Sequence, residues 1–187
     1  MLSVEPFIDN IYRFHKSAKL EGTESNIVLL QNALSDKRNE VKLLGYRSSD
    51  IGGQSLMGNK NKTFKKLDPN NKYLVETILL DDIVPYLPKR DDGNAFEQAF
   101  MKIDIEGFEP YAFTNARLLF DTLDIQVIFM EWANLINHKD ARSLVLEMLN
   151  FLLFRDFKPY HPQLNQLLSP HDIDNWPFDI HWYKQKL

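Results

Sequence analysis

Cysteine is absent from this chain of 187 residues, and glycine is scarce, with seven residues. The absence of cysteine excludes disulfide frameworks, thiolate metal sites and cysteine nucleophiles. The scarcity of glycine bears on nucleotide binding, because most nucleotide-binding folds keep a glycine-rich loop. The chain also lacks an excess of basic residues: its net charge is −4, whereas a nucleic-acid-binding domain is usually basic. We therefore expect no nucleic-acid partner.

Long hydrophobic runs and a recognisable signal peptide are also lacking, so we expect no membrane span in this chain and a soluble domain, cytoplasmic by default. The composition is that of a globular protein, with 44% hydrophobic and 26% charged residues. A chain of this size buries about 70% of the surface that its unfolded form exposes. One domain over residues 1–187 is therefore expected.

Short apolar segments alternate with amphipathic ones along the chain, which predicts α/β architecture with a largely parallel sheet. Strands are predicted over residues 2–4, 27–30, 41–44, 73–79, 100–105, 125–130, 157–160 and 178–183. Helices are predicted after residue 7, after Pro110 and over 140–154. Residues 47–72 are a long polar stretch, expected to be a solvated surface loop, with a lid over a pocket as the alternative.

Acidic residues follow several of these predicted strands. Glu5 follows the first strand, Asp104 and Glu106 the strand at 100–105, and Glu131 the strand at 125–130. Ligands of open α/β sheets bind outside the carboxyl ends of the strands. The pattern predicts a functional site at this edge, although an acid in such a position can also stabilise the N-terminus of the next helix.

Five segments, in their order and spacing, resemble the FkbM-type methyltransferase domain. They are VEPF at 4–7, NALSD at 32–36, VETILLDDI at 75–83, KIDIEGFEP at 102–110 and FMEW at 129–132. KIDIEG is the most specific element, and it becomes more specific with the preceding T-x-L-L-D-D stretch from Thr77 to Asp82. The resemblance implies an S-adenosylmethionine-dependent methyltransferase of Rossmann-like fold, usually an O-methyltransferase.

The family's first strand carries a glycine-rich loop, D-x-G-A-N-x-G, upstream of its E-P element. Here E-P begins at Glu5, and no other stretch of the sequence supplies this loop. The resemblance therefore implies a mostly parallel sheet with an antiparallel C-terminal strand, and with the first strand and helix missing. Either the chain is N-terminally truncated or it is a degenerate family member. We expect a missing strand between those at 2–4 and 100–105.

The resemblance also implies a binding site for S-adenosylmethionine. Glu5 would accept hydrogen bonds from the ribose hydroxyls, because a carboxylate offers two acceptor oxygens. Asn32, Ala33 and Asp36 would flank the adenine, with Asp36 accepting from its amino group. The alternatives are a helix-terminal acid for Glu5 and a turn-forming loop at 35–36.

Asp104, Glu106 and Glu131 are the expected catalytic residues. Asp104 and Glu106 would lie beside the methyl group, where a carboxylate can take or orient the hydroxyl proton, and Asp104 could instead hold the cofactor. Glu131 would face the acceptor. The alternatives for Asp104 are a salt bridge with Lys102 or a helix cap. Magnesium on the three acids is conceivable, but nothing in the sequence demands it, so no metal is predicted.

The expected function is O-methylation of a small molecule or a glycan. The alternative, from another class, is a non-catalytic methyltransferase-like relic that binds a partner protein through its sheet or its phenylalanine-rich surface; the chain has 13 phenylalanines. An in-frame D-x-G-x-N-x-G segment upstream of Met1 would favour the enzyme. The sequence leaves the acceptor and the oligomeric state open.

Overall fold

Three β-sheets organise the protein in a computed structural model that describes residues 1–45, 53–56, 62–136 and 139–185. The strands of this described part are β1 (Leu2–Val4), β2 (Val28–Leu30), β3 (Ala33–Leu34), β4 (Val41–Leu43), β5 (Leu74–Ile78), β6 (Gln98–Ile103), β7 (Asp124–Glu131), β8 (Phe157–Tyr160) and β9 (Asp179–Lys184). The α-helices are α1 (Ile8–Leu20), α2 (Glu109–Phe113), α3 (Arg117–Thr122), α4 (Ala133–Ile136) and α5 (Arg142–Phe154).

Strand direction agrees only in part with the expected sheet. β1 pairs with β2, β3 with β5, and β6 with β7 in parallel, whereas β4 pairs with β5, and β9 with both β7 and β8, antiparallel. The last strand is thus antiparallel, as expected. The sheet is not mostly parallel, however, because the pairings between the described strands divide equally between the two directions, over three sheets instead of one.

β1 and β6 each have an open edge among the described strands. β1 pairs only with β2, and β6 pairs only with β7. The two strands do not pair directly with each other. A direct pairing would have contradicted the expectation that a strand is missing between them. The edge that each exposes is a row of backbone groups able to pair with another strand.

Helix α5 shows how the spacing of apolar residues builds the core. Val145, Met148, Leu149 and Leu152 recur at helical spacing and are buried. They pack into the main core with Trp132 and with residues of β7 and β9. Five residues of the first half of the chain and Phe108 form a second, smaller core: Phe7, Ala33, Leu44, Leu56, Val75 and Phe108. No helix in the described ranges is long and apolar enough to cross a membrane.

Part of the polar stretch at 47–72 lies inside the protein, contrary to the expected surface loop. Gln54, Ser55 and Leu56 are buried, and the Ser55 backbone pairs with Gly45. These residues are held by hydrogen bonds and by packing of Leu56 in the second core. The lid that was the alternative falls in part on residues 46–52 and 57–61, which lie outside the described residues.

The two aspartates of the L-D-D stretch stabilise the fold in different ways. Asp82 accepts a hydrogen bond from the Leu79 N–H at 3.0 Å, at the start of the 3₁₀ helix Leu80–Tyr86. Asp81 accepts from the Leu119 N–H at 2.9 Å and so caps α3, which lies far along the chain. Capping interactions of this kind contribute about 1 kcal/mol.

Candidate active site

Three carboxylates meet where β6 and β7 end. Asp104 follows β6 directly, and Glu131 is the last residue of β7. Because these strands are parallel neighbours, their carboxyl ends lie at one edge of the sheet. One oxygen from each of Asp104, Glu106 and Glu131 lies within 4.8 Å of the others. The structure thus brings together the three acids predicted to be catalytic.

The turn after β6 holds Glu106 in an unusual backbone conformation. Glu106 has φ 57° and Gly107 has φ 90°, a region that costs a residue other than glycine about 1–2 kcal/mol. The Ser55 hydroxyl donates to the Glu106 carbonyl at 3.0 Å. Strain of this kind persists where surrounding contacts fix the backbone, often at functional sites. Ser55 lies far away in the sequence, which offered no sign of this contact.

Asn134, in α4, connects two of the acids. Its Nδ2 donates to Glu131 Oε2 at 2.8 Å and to Glu106 Oε2 at 3.2 Å. The sequence analysis missed this residue. The sequence did contain a signal for Asn134, because its amide comes three residues after Glu131. This spacing places two side chains on the same face of a helical turn.

Burial sets the protonation behaviour of Glu131. The side chain is 9% exposed, and this burial raises the pKa of its carboxyl. The hydrogen bond from Asn134 lowers the pKa in part, while the negative charges of Asp104, Glu106 and Asp179 raise it further. A carboxyl whose pKa moves toward neutrality is better suited to general acid–base catalysis.

Glu109 is a fourth acid at this site, and the sequence analysis gave it no role. It is fully buried, and burial raises the pKa of its carboxyl to about 8, with smaller contributions from the charges of Glu131 and Asp104. Its Oε1 accepts from the Ile105 N–H at 2.8 Å. Its Oε2 is buried and has no hydrogen-bond donor among the described residues. The sequence did contain a signal for Glu109, because this acid lies in the same E-G-F-E-P segment as Glu106.

Asp104 is more exposed than its neighbours and forms the ion pair that was its alternative interpretation. Lys102 Nζ lies 2.9 Å from Asp104 Oδ2, and the two side chains are 72% and 40% exposed. Exposed pairs contribute at most about 1 kcal/mol. The ion pair therefore does little for stability and leaves the carboxylate accessible from solvent.

Glu5 lies between β1 and α1, where it contacts the start of the helix. Its Oε1 accepts from the Phe7 N–H at 2.8 Å and from Asn10 Nδ2 at 3.4 Å. Partial burial raises the pKa of Glu5, and these two hydrogen bonds lower it in part. The helix-terminal contact expected as the alternative is thus present, and Oε2 has no donor from the described part of the chain.

The residues predicted to flank the adenine lie around β3. Asn32 Nδ2 donates to the Glu76 carbonyl at 3.2 Å, and Ala33 is buried in the second core. Asp36 accepts from the Ser35 hydroxyl at 3.1 Å. Asp36 also lines a groove of about 310 Å³, together with Ser35, Lys37, Glu40, Lys42, Phe108, Tyr111 and Asp140. Of the three, Asp36 presents its side chain to this groove.

Comparison with known proteins identifies the family of the chain. No curated protein matches the chain. Among solved structures, it is similar to a methyltransferase FkbM from Methylobacillus flagellatus KT, with a TM-score of 0.50 and 16% identity, over 97% of this chain and 36% of that one. This likeness concerns the fold alone, and the chain spans 36% of that structure's length. The family model for the methyltransferase FkbM domain matches residues 1–159. The chain therefore belongs to the methyltransferase FkbM domain family.

Proposed function

We propose that residues 1–187 form a Rossmann-like domain that uses S-adenosylmethionine to methylate a hydroxyl group on a small molecule or a glycan. The observation that carries the proposal is the convergence of Asp104, Glu106 and Glu131 at the ends of two parallel strands. This edge is where open α/β sheets bind their ligands. Membership of the methyltransferase FkbM family supports the reaction class.

The described residues suit a positively charged cofactor, which when bound supplies an electrophilic methyl group. Glu5 keeps one oxygen without a described donor, so it can accept from a ribose hydroxyl. Asp36 has a second oxygen that can accept from the adenine amino group. Ala33 can contribute only backbone groups because its side chain is in the core, and Asn32 keeps its amide oxygen. Asp104 adds negative charge that favours the methionine portion.

The three acids can also prepare the acceptor. A hydroxyl group attacks well only when a base takes its proton and when it is held about 3 Å from the methyl carbon. Glu131, with its raised pKa, and the accessible Asp104 are the groups that can take this proton. Glu106, tied to Glu131 through Asn134, can orient the hydroxyl.

Cofactor binding is the first test. We expect this chain to bind S-adenosylmethionine weakly, because no stretch of its sequence supplies the glycine-rich loop that lets a backbone approach the cofactor. Calorimetry should show tighter binding when a segment with that loop is joined upstream of Met1. Absence of binding in both proteins would contradict the proposal, and micromolar affinity of the chain alone would contradict the role given to the loop.

Methyl transfer is the second test. It uses the extended protein, which is the chain with the glycine-rich segment joined upstream of Met1, together with labelled cofactor and a panel of hydroxylated small molecules and glycans. Asp104→Asn keeps the shape and removes the charge, so single-turnover rates should fall by about 10²–10⁴ if Asp104 acts as the base. Lys102→Gln is the matched control, because it breaks the same ion pair and leaves the carboxylate. Equal, small effects of both variants would show that Asp104 only pairs with Lys102.

A second candidate function is a non-catalytic module that binds a partner protein. The observation that favours it is the open edge of β6, where Phe100 is 74% exposed. Exposed strand edges readily pair with another chain. Two results together would favour this function over methyl transfer. Phe100→Asp would abolish self-association or partner binding, and the protein would bind no cofactor even with the glycine-rich segment joined upstream of Met1.

A further inference from the structure

The outer face of helix α1 combines cations with exposed apolar side chains. Arg13, Lys16 and Lys19 are exposed. Tyr12 and Leu20 are also exposed, at 66% and 77%. Steps of three and four residues link these positions along α1, and such steps place side chains next to each other on one face of a helix. The face is therefore continuous, and the rest of the protein leaves it open to solvent.

The cations of this face are not neutralised within the part of the chain that the structure describes. Its ion pairs include none of Arg13, Lys16 and Lys19. The single acid of α1, Asp9, is instead paired with Lys72 at 2.6 Å. Lys72 lies within electrostatic reach of Arg13. The positive charge of α1 is thus available to a partner outside the protein.

Charge is divided unequally along the chain, and α1 lies in its basic part. Residues 1–72 contain 12 lysines and arginines against 8 acids, a net charge of +4, whereas residues 73–187 contain 10 against 18, a net charge of −8. The segment that leads to Lys72 adds three exposed lysines, Lys62, Lys65 and Lys66. Separated charge of this kind attracts an anionic partner to one part of a protein whose net charge is negative.

We propose that the outer face of α1 binds the surface of an anionic lipid bilayer. Acidic headgroups attract Arg13, Lys16 and Lys19, and each lysine or arginine at such a surface strengthens binding about fivefold. Tyr12 has an apolar ring and a polar hydroxyl, which suits the boundary between headgroups and acyl chains. Leu20 favours a bilayer over a nucleic acid, because an aliphatic side chain gains from burial among acyl chains but cannot stack on bases as an aromatic ring does.

Cosedimentation with lipid vesicles tests the proposal on the chain as it exists. The probe is a vesicle of phosphatidylcholine and phosphatidylserine at about 3:1, and a vesicle of phosphatidylcholine alone is the neutral reference. Binding to the anionic vesicle should be about a hundredfold stronger, since three cations contribute about fivefold each. It should be largely lost at about 1 M salt, where the Debye length falls to about 3 Å. Equal binding to both vesicles, or binding to neither, would overturn the proposal.

Removal of the cations locates the binding face. The triple variant Arg13→Gln, Lys16→Gln, Lys19→Gln should bind the anionic vesicle about a hundredfold more weakly. The matched control removes the same charge from exposed positions in the acidic part of the chain: Lys89→Gln, Arg90→Gln and Lys158→Gln. The control should retain most of the binding, and circular dichroism verifies that both variants are folded. Equal losses in the two variants would show that only overall charge matters, which would overturn the assignment to α1.

Leu20→Gln separates a bilayer from other anionic partners, because it removes an apolar side chain and keeps the charge. Vesicle binding should fall about tenfold, whereas binding to single-stranded RNA, if there is any, should not change. RNA binding that the triple variant abolishes, together with vesicle binding that Leu20→Gln leaves unchanged, would overturn the proposal in favour of a nucleic acid. These measurements contain no S-adenosylmethionine, so their failure leaves the proposed function intact, and a failed methyl-transfer assay leaves the bilayer contact intact.

Discussion

Replacing Glu109 with glutamine should remove a large pH-dependent loss of stability. The carboxyl is fully buried, and burial raises its pKa from 4.5 to about 8. Between these values the folded protein keeps a proton that the unfolded chain releases, so stability falls as pH rises. The fall is about 1.4 kcal/mol per pH unit and at most about 5 kcal/mol in all. Domains of this kind are stable by about 5–15 kcal/mol.

Urea unfolding followed by circular dichroism measures this effect. Glutamine keeps an oxygen that can accept from the Ile105 N–H. The free energy of unfolding of Glu109→Gln, relative to the wild type, should rise by about 4 kcal/mol between about pH 5 and about pH 9. The comparison cancels the contribution of Glu5, whose pKa is also raised.

Two outcomes would refute this reasoning. One is a wild-type stability that stays constant or rises from about pH 5 to about pH 8. The other is a Glu109→Gln variant with the same pH dependence as the wild type, which would mean that the carboxyl ionises in the folded protein without cost. Glu147→Gln is the control, because Glu147 is exposed and its replacement should change neither stability nor its pH dependence.

Three further predictions concern the core, the surface and the cofactor site. Leu152→Ala should lower the free energy of unfolding by about 2–5 kcal/mol, since Leu152 is fully buried and the change leaves a cavity; a loss below about 1 kcal/mol in urea unfolding would contradict this packing. Arg142→Ala should cost at most about 1 kcal/mol, because its ion pair with Asp174 is exposed and such pairs are weak; a larger loss in the same assay would show a role beyond that pair. Glu5→Gln should weaken S-adenosylmethionine binding in calorimetry of the extended protein and spare the rate at saturating cofactor; unchanged affinity would restrict Glu5 to its contact with α1.

The local elements, and the position of the acids along them, could be predicted from the sequence alone. The apolar spacing at 140–154 predicted a helix, which the structure has as α5. The apolar run at 125–130 predicted the strand β7, ending next to Glu131. These predictions succeed because the face that a residue occupies depends only on the period of its own helix or strand.

The sequence was less informative about which strands pair with each other and in which direction. It favoured one mostly parallel sheet, whereas the described strands form three sheets with both directions. Strand pairing joins segments that are distant along the chain, so the apolar pattern of each strand does not fix its partner. The aspartates at 81–82 show the same limit: they are adjacent in the sequence, yet Asp82 caps its own segment and Asp81 caps α3.

The way in which the acids of the site are held depends on contacts made by the folded chain. Ser55 binds the carbonyl of Glu106, and Asn134 connects Glu106 to Glu131. The burial of Glu109, which raises its pKa to about 8, results from the packing of α2 against the rest of the core. The sequence named the three acids because each follows a strand. Their separation, their burial and their partners depend on contacts between distant segments, which no local spacing encodes.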